Sequence, residues 1–254
     1  MNQHEKFRIR LSYLKTSSLI FISHRSLIDV LMRAIRRTQV PLKFTQGFSP
    51  RPKVMFSPPL PLGVTGKAEL IDIETTKLID EDNFILLLNK AVPEGLMFTK
   101  ATNLMPQAPG LSKMIKKAVY TFTPYVKRLK DHIPVEESGS SFPTTSKTTE
   151  LMNMNEILIT KKAKKGKPPK EVNVRPFIFS LEVNDDESGA KNNVETDQND
   201  IKTDQMVTAT IASGDKTVSP LILATLLWPE LGESPLENVK ITREYFLSPI
   251  DMKL

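Results

Sequence analysis

The chain has 254 residues, 39% hydrophobic and 25% charged, with a formal net charge of +6 and no cysteine; that length allows one large domain or two small ones. Without cysteine it has no disulfide, no thiolate nucleophile, no cysteine-held zinc and no iron–sulfur cluster of its own. No apolar run approaches the ~20 residues of a membrane span and Met1–Arg8 has no apolar signal core, so a cytoplasmic location is expected.

Phe7-Arg-Ile-Arg-Leu-Ser-Tyr13 alternates apolar and polar residues, the pattern of a half-buried strand. Leu27, Val30, Leu31, Ala34 and Ile35 then form one helical stripe, with Arg25, Asp29, Arg33, Arg36 and Arg37 opposite. They predict a helix over about residues 24–38, capped by Ser23 or Ser26 and stopped by Pro41. Leu42-Lys-Phe44 and Val54-Met-Phe56 flank a loop at Thr45–Lys53. Ala68–Thr75 reads as a strand, Asp80–Ala91 as a helix and Leu96–Ala101 as a strand. The order strand–helix–strand–strand–helix–strand is that of the split βαβ, ferredoxin-like arrangement.

The second half predicts a strand at Lys117–Pro124, a weak helix within Pro143–Asn155, and strands at Glu156–Lys162, Val174–Val183 and Met206–Ala212. A helix at Val218–Leu227, with Ser219 as cap and Pro220 in its first turn, precedes a closing strand at Val239–Leu247. The expected fold is therefore α+β, with two ferredoxin-like lobes at 1–110 and 111–254 related by a degenerate duplication of element order, without a residue-level repeat. The Ser/Thr-rich stretch 136–149 and the acidic stretch 184–205 are expected to be mobile.

Charge is unevenly spread. Residues 1–53 hold eleven Lys/Arg against two acids, a segment of +9, while the remainder sums to −3. Such a segment attracts polyanions or an acidic protein face; the plainer reading is a solvated basic surface. The most unusual string is Phe44-Thr-Gln-Gly-Phe-Ser-Pro-Arg-Pro-Lys53. Gly47 admits backbone conformations other residues avoid. Pro50 and Pro52 hold the path extended, so that Arg51 and Lys53 stand on a stiff arm beside Gln46 and Phe48. Guanidinium for phosphate and a ring face for a base are what single-stranded RNA recognition uses. The alternative is a structural hairpin whose Phe48 packs inward. A second basic run, Lys161–Lys170, contains Lys164 and Lys165 and leads to Arg175; it reads as a flexible phosphate-binding arm or as an exposed linker.

Catalytic patterns are sparse. The chain has three histidines, and only His24 falls at an ordered position, the start of the first helix, where a neutral imidazole could act as a base. No Ser/His/Asp set, Gly-rich phosphate loop or metal-ligand spacing appears. Asp72 and Glu74 alternate with Ile71 and Ile73 and read as a polar, solvent-facing pair.

Phe21-Ile-Ser-His24, Ala34-Ile-Arg-Arg37, Gln46-Gly-Phe-Ser-Pro-Arg-Pro-Lys53, Leu60-Pro-Leu-Gly-Val64, Asp72-Ile-Glu74, Glu94-Gly-Leu96 and the run from Lys164 to Arg175-Pro-Phe177 resemble a bacterial family of unknown function associated with radical SAM proteins. The resemblance covers most of the chain and is densest over 7–75. It implies a radical SAM partner encoded beside this chain or fused to it, often near ribonuclease and ribosomal-protein genes. It supplies no catalytic residues. This chain has Arg25-Ser26 after His24 where relatives usually have Leu-Asp, which favours binding over chemistry.

The expectation is a protein that binds RNA, tRNA or rRNA, for modification or maturation. Arg33, Arg36, Arg37, Arg51 and Lys53 would hold phosphates, Phe48 a base, and the partner would carry the iron–sulfur cluster and S-adenosylmethionine. The alternatives are a module that docks the radical SAM partner, and a metal-free RNA-processing enzyme with His24 as base, which needs a second acid or base beside that histidine.

Overall fold

A computed structural model describes residues 7–126, 144–161, 168–185, 201–202, 205–214, 216–231, 234–248 and 253. In chain order the elements are β1 (Phe7–Lys15), α1 (His24–Arg37), β2 (Val54–Phe56), β3 (Thr65–Thr75), α2 (Glu81–Ala91), β4 (Leu96–Leu104), α3 (Leu111–Met114), β5 (Lys117–Val126), α4 (Thr144–Asn153), β6 (Leu158–Lys161), β7 (Lys170–Asn173), β8 (Ile178–Asp185), β9 (Ile201–Lys202), β10 (Gln205–Ala212), α5 (Pro220–Leu227) and β11 (Val239–Leu247). The fold is α+β. The chain divides into two compact units, one of residues 1–116 with 243–254, the other of 117–242.

In the first unit β1 lies between β3 and β4, antiparallel to both, and β2 pairs antiparallel with β3. The period-2 pattern of β1 sends Ile9, Leu11 and Tyr13 to one face, where they meet Leu27, Leu31 and Ile35 of α1, Phe84 and Leu88 of α2, and Ile71 and Ile73 of β3. α1 starts where the sequence places it. Of the two candidate caps, Ser23 acts, its Oγ accepting from the Ser26 N–H at 3.1 Å. Asp80 caps α2 in the same way through the Asn83 N–H. Gly95, at φ +87°, ends the turn after α2, where a Cβ would sit 2.7 Å from the Thr16 carbonyl. No other residue type allows that approach.

In the second unit β10 lies between β5 and β8, antiparallel to both, while β6 and β7 form a separate hairpin and β9 pairs with β5. Ser219 caps α5 through the Leu221 N–H at 3.3 Å and Pro220 opens its first turn. α5 buries Leu223, Ala224 and Leu227.

Three expectations change. Val174–Val183 is not one strand: Arg175–Phe177 forms a 3-10 turn before β8. Pro176 lacks an N–H for a ladder, and the Asn173 side chain takes the Arg175 N–H at 3.1 Å. Residues 144–149, expected to be mobile, lie in α4, which buries Thr144, Thr148 and Leu151. The rest of that stretch and most of 184–205 lie outside the described residues. Finally, residues 243–254, expected in the second lobe, group with the first unit, where Arg243 meets a buried carboxylate.

Candidate functional site

The arm between α1 and β2 is a hairpin built on the edge of β3. Its legs are fixed by Lys43 N–H to Glu74 carbonyl at 2.9 Å, Lys53 N–H to Lys43 carbonyl at 2.9 Å and Glu74 N–H to Lys53 carbonyl at 3.0 Å. Phe44 and Pro52 face each other in an isolated bridge. Thr45 closes the tip twice, its N–H donating to the Arg51 carbonyl at 2.8 Å and its Oγ1 accepting from the Arg51 N–H at 3.0 Å. Gly47 turns the tip at φ +123°, and a Cβ there would meet nothing within 4 Å. The constraint is therefore one of backbone conformation, not of space. Phe48 follows it and is fully exposed, and its neighbours Gln46 and Arg51 are exposed as well. The inward-packing alternative for Phe48 is thereby removed.

Arg33, Arg36 and Arg37 are exposed on α1, opposite its buried stripe. Arg33, Arg36 and Arg51 make no ion pair among the described residues, whereas Arg37 donates to the Ala91 carbonyl at 3.0 Å. Lys53 is only partly available, with its Nζ 3.5 Å from Glu74 Oε2.

Other basic groups of the N-terminal segment are spent inside the fold. Arg10 forms a two-pronged pair with Asp72 at 2.7 and 2.8 Å, and Arg8 lies 3.8 Å from the same carboxylate. Asp72 is 3% exposed, so it does not share a solvent face with Glu74. The chain after β4 covers it, with Arg10 donating to the Pro109 carbonyl and Arg8 to the Ala108 carbonyl. Among the described residues of the segment, the exposed cations are Arg25, Arg33, Arg36, Arg37 and Arg51, with Lys43 and Lys53 partly exposed.

The second basic run falls elsewhere. Lys164 and Lys165 lie outside the described residues. Arg175 belongs to the second unit and donates to the carbonyls of Met154, Ile178 and Met152 at 3.1, 2.8 and 2.8 Å. Its guanidinium ties the end of α4 to the start of β8, and its donors are directed into the protein.

Sequence reasoning missed a group of polar side chains on the core face of the first unit. Arg243 and Glu69, 2% and 3% exposed, are joined by Nε to Oε1 at 2.7 Å and by a second, Nη2 to Oε2 contact. Ser57 donates to the same carboxylate at 3.3 Å. Gly66 makes room, since a Cβ there would lie 2.8 Å from Glu69 Cγ. Lys15, 1% exposed, donates to the carbonyls of Ile20 and Ile22 at 3.4 and 3.3 Å. His24, half-buried at the first position of α1, meets the Phe56 ring edge-on with centroids 6.3 Å apart.

These groups shift one another. Burial, with lesser contributions from Lys15 and Arg243, holds the His24 imidazole below its usual range, against Glu69, which acts to raise it. Burial lowers the Lys15 ammonium as well, Glu69 opposing and Arg243 adding. Burial raises the Tyr13 phenol, helped by Glu69 and opposed by Arg243. His24 therefore feels the charges of Glu69, Lys15 and Arg243. The signal was in the strand parity: Lys15 continues Ile9, Leu11 and Tyr13, and Glu69 precedes Ile71 and Ile73 at the same spacing.

Among the described residues no group of three His, Asp or Glu is placed to hold a metal ion, and no helix is long and apolar enough to cross a membrane. Residues 8–218 match the profile of a family described as "Uncharacterized protein conserved in bacteria (DUF2344)". No curated protein matches the chain.

Proposed function

The chain belongs to this uncharacterised family conserved in bacteria, and from that premise we propose that it is an accessory protein that binds RNA through its first unit and works beside a radical SAM partner. The observation that carries the RNA reading is the hairpin tip. A fully exposed Phe48 stands close to an exposed Arg51, without an ion pair among the described residues, on a backbone closed by Thr45 and turned by Gly47. Leaving a phenylalanine ring wholly in water gives up the burial that usually justifies the residue, whereas a base has a π-face for it and a phosphate for the adjoining guanidinium. Arg33 and Arg36 supply further phosphate contacts from α1 of the same unit.

The partner half of the reading rests on the resemblance of the Gln46–Lys53 and Phe21–His24 strings. It also rests on chemistry: a chain without cysteine cannot ligate the cluster by thiolate. We further assign the first unit to the split βαβ class. Its element order β1-α1-β2-β3-α2-β4 and antiparallel strand order β4-β1-β3-β2 support this. In the second unit the order β5-α4-β8-β10-α5, with the β6–β7 hairpin inserted, supports a degenerate duplication.

The test is filter binding of cellular RNA over a range of salt. The expected plot of log affinity against log salt falls by roughly 0.7–0.9 per phosphate contact, and Arg33→Glu with Arg36→Glu flattens it. A salt-independent or undetectable interaction overturns the RNA reading. Co-purification of a radical SAM protein that survives nuclease treatment and is lost on the same double reversal would assign the basic face to protein docking instead.

A further inference from the structure

The core-face group in the first unit carries an unbalanced charge. Glu69 is taken up by Arg243 through two donors, with the Ser57 hydroxyl on the same carboxylate. That pair is neutral as a whole. Lys15 is the remainder. It is 1% exposed, it forms no ion pair among the described residues, and its ammonium has two carbonyls for company at 3.4 and 3.3 Å. Those distances are long for hydrogen bonds from a cation, which settle near 2.7–2.9 Å. Two carbonyls do not call for a lysine. A hydroxyl or an amide satisfies them without taking a full charge out of water.

Ile22, whose carbonyl Lys15 reaches at 3.3 Å, stands two residues before His24 at the start of α1. The His24 ring is half-buried against Phe56 and electrostatically coupled to Lys15, Glu69 and Arg243. The hydroxyls of Ser23 and Ser26, 2.9 Å apart, are exposed beside it. A compact ammonium from the end of β1, with an imidazole and two hydroxyls from the start of α1, suits an oxyanion with several acceptor oxygens. A planar carboxylate is better matched by a guanidinium fork, and the fork here is already committed to Glu69.

We propose that the Lys15–His24 corner of the first unit binds a phosphate group, with Lys15 as the charge that recognises it and the Arg243–Glu69 pair as the support that fixes its surroundings. The group is inorganic phosphate, a small phosphate ester, or the 5′-phosphate end of an RNA. The inference stands apart from the RNA reading of the hairpin, because none of its residues lies on the arm.

The full chain is titrated with inorganic phosphate against chloride at matched ionic strength, following the His24 ring signals by NMR, assigned by their loss in His24→Gln. The expected result is a saturable shift, a rise in the His24 pKa on binding, and a phosphate-dependent rise in melting temperature. Lys15→Met should weaken the response at least about tenfold, while melting at or above the wild-type temperature in phosphate-free buffer. No saturable shift in the wild type overturns the proposal, whether or not the variant folds; so does an undiminished shift in Lys15→Met. A paired arm compares an oligoribonucleotide bearing a 5′-phosphate with its 5′-hydroxyl counterpart. Movement of His24 by the first alone assigns the site to RNA ends, and movement by inorganic phosphate alone assigns it to free phosphate. Arg33→Glu with Arg36→Glu should leave the inorganic phosphate response intact, so the failure of one reading is distinguishable from failure of the other.

Discussion

Arg243 donates from Nε to Glu69 Oε1 at 2.7 Å across 174 positions of sequence, with both side chains buried. A third contact from Nη2 reaches the Pro58 carbonyl at 3.0 Å, and the guanidinium lies 4.5 Å from the centre of the Phe246 ring. The pair joins the part of β11 that belongs to the first unit to β3 of the same unit. Removing either partner alone leaves the other charge buried. Arg243→Ala or Glu69→Ala should therefore cost about 3–5 kcal/mol in urea unfolding, while Glu69→Leu with Arg243→Met should be close to neutral. Strictly additive losses across that cycle would show that the pair is not coupled as its geometry requires.

Phe48 offers a cleaner separation of binding from stability. Its ring contributes nothing to the core, so Phe48→Ala should shift the unfolding midpoint by no more than about 0.5 kcal/mol. A base stacked on the ring is worth about 1–3 kcal/mol, so single-stranded RNA affinity should fall by about five- to 150-fold. Gly47→Ala tests the presentation of the ring rather than the ring itself. It meets no atom within 4 Å but must adopt φ near +123°, a region side chains rarely enter. It should weaken RNA binding with Phe48 still present. Unchanged affinity in both variants would remove the tip from the binding surface.

Arg175 gives the converse pattern. Its donors reach three carbonyls within the second unit. Arg175→Ala strands those acceptors and should cost about 2–3 kcal/mol, with no change in RNA affinity per folded molecule. A loss of affinity without a loss of stability would return Arg175 to the binding surface.

Much of this arrangement was legible from periodicity. α1 was readable because its apolar stripe, its capping serine and Pro41 all agree on its limits. The strand parity of β1 and β3 would have placed Lys15 and Glu69 on the core face, but charged residues at strand ends read by default as solvated. The partner that makes Glu69 tolerable there, Arg243, lies 174 positions away, where no local pattern reaches. The basic surplus over 1–53 was legible as a total but not as a surface, since Arg8 and Arg10 turn onto Asp72. Phe48 was ambiguous for a different reason. A glycine-turned tip permits both inward and outward rings, and the closure by Thr45 that leaves the tip clear of the sheet is a tertiary outcome.

The lowered His24 pKa has a sign that unfolding can read. In the unfolded chain an imidazole titrates near 6.5. In the folded chain it titrates lower, because burial disfavours its charged form, as do Lys15 and Arg243, more than Glu69 compensates. As pH falls through the unfolded value, the unfolded state takes up a proton that the folded state does not, so stability falls with it and levels off below the folded value. Wild type and His24→Gln should thus differ by a constant amount on the alkaline side of that window. The wild type should lose stability relative to the variant as pH is lowered through it. The other two histidines, His4 and His132, are present in both proteins and cancel in the comparison. Urea unfolding midpoints taken in phosphate-free buffer across the window check the expectation. Parallel curves, or a wild type that gains on the variant as pH falls, would mean that the surroundings of His24 do not hold its imidazole below the usual range.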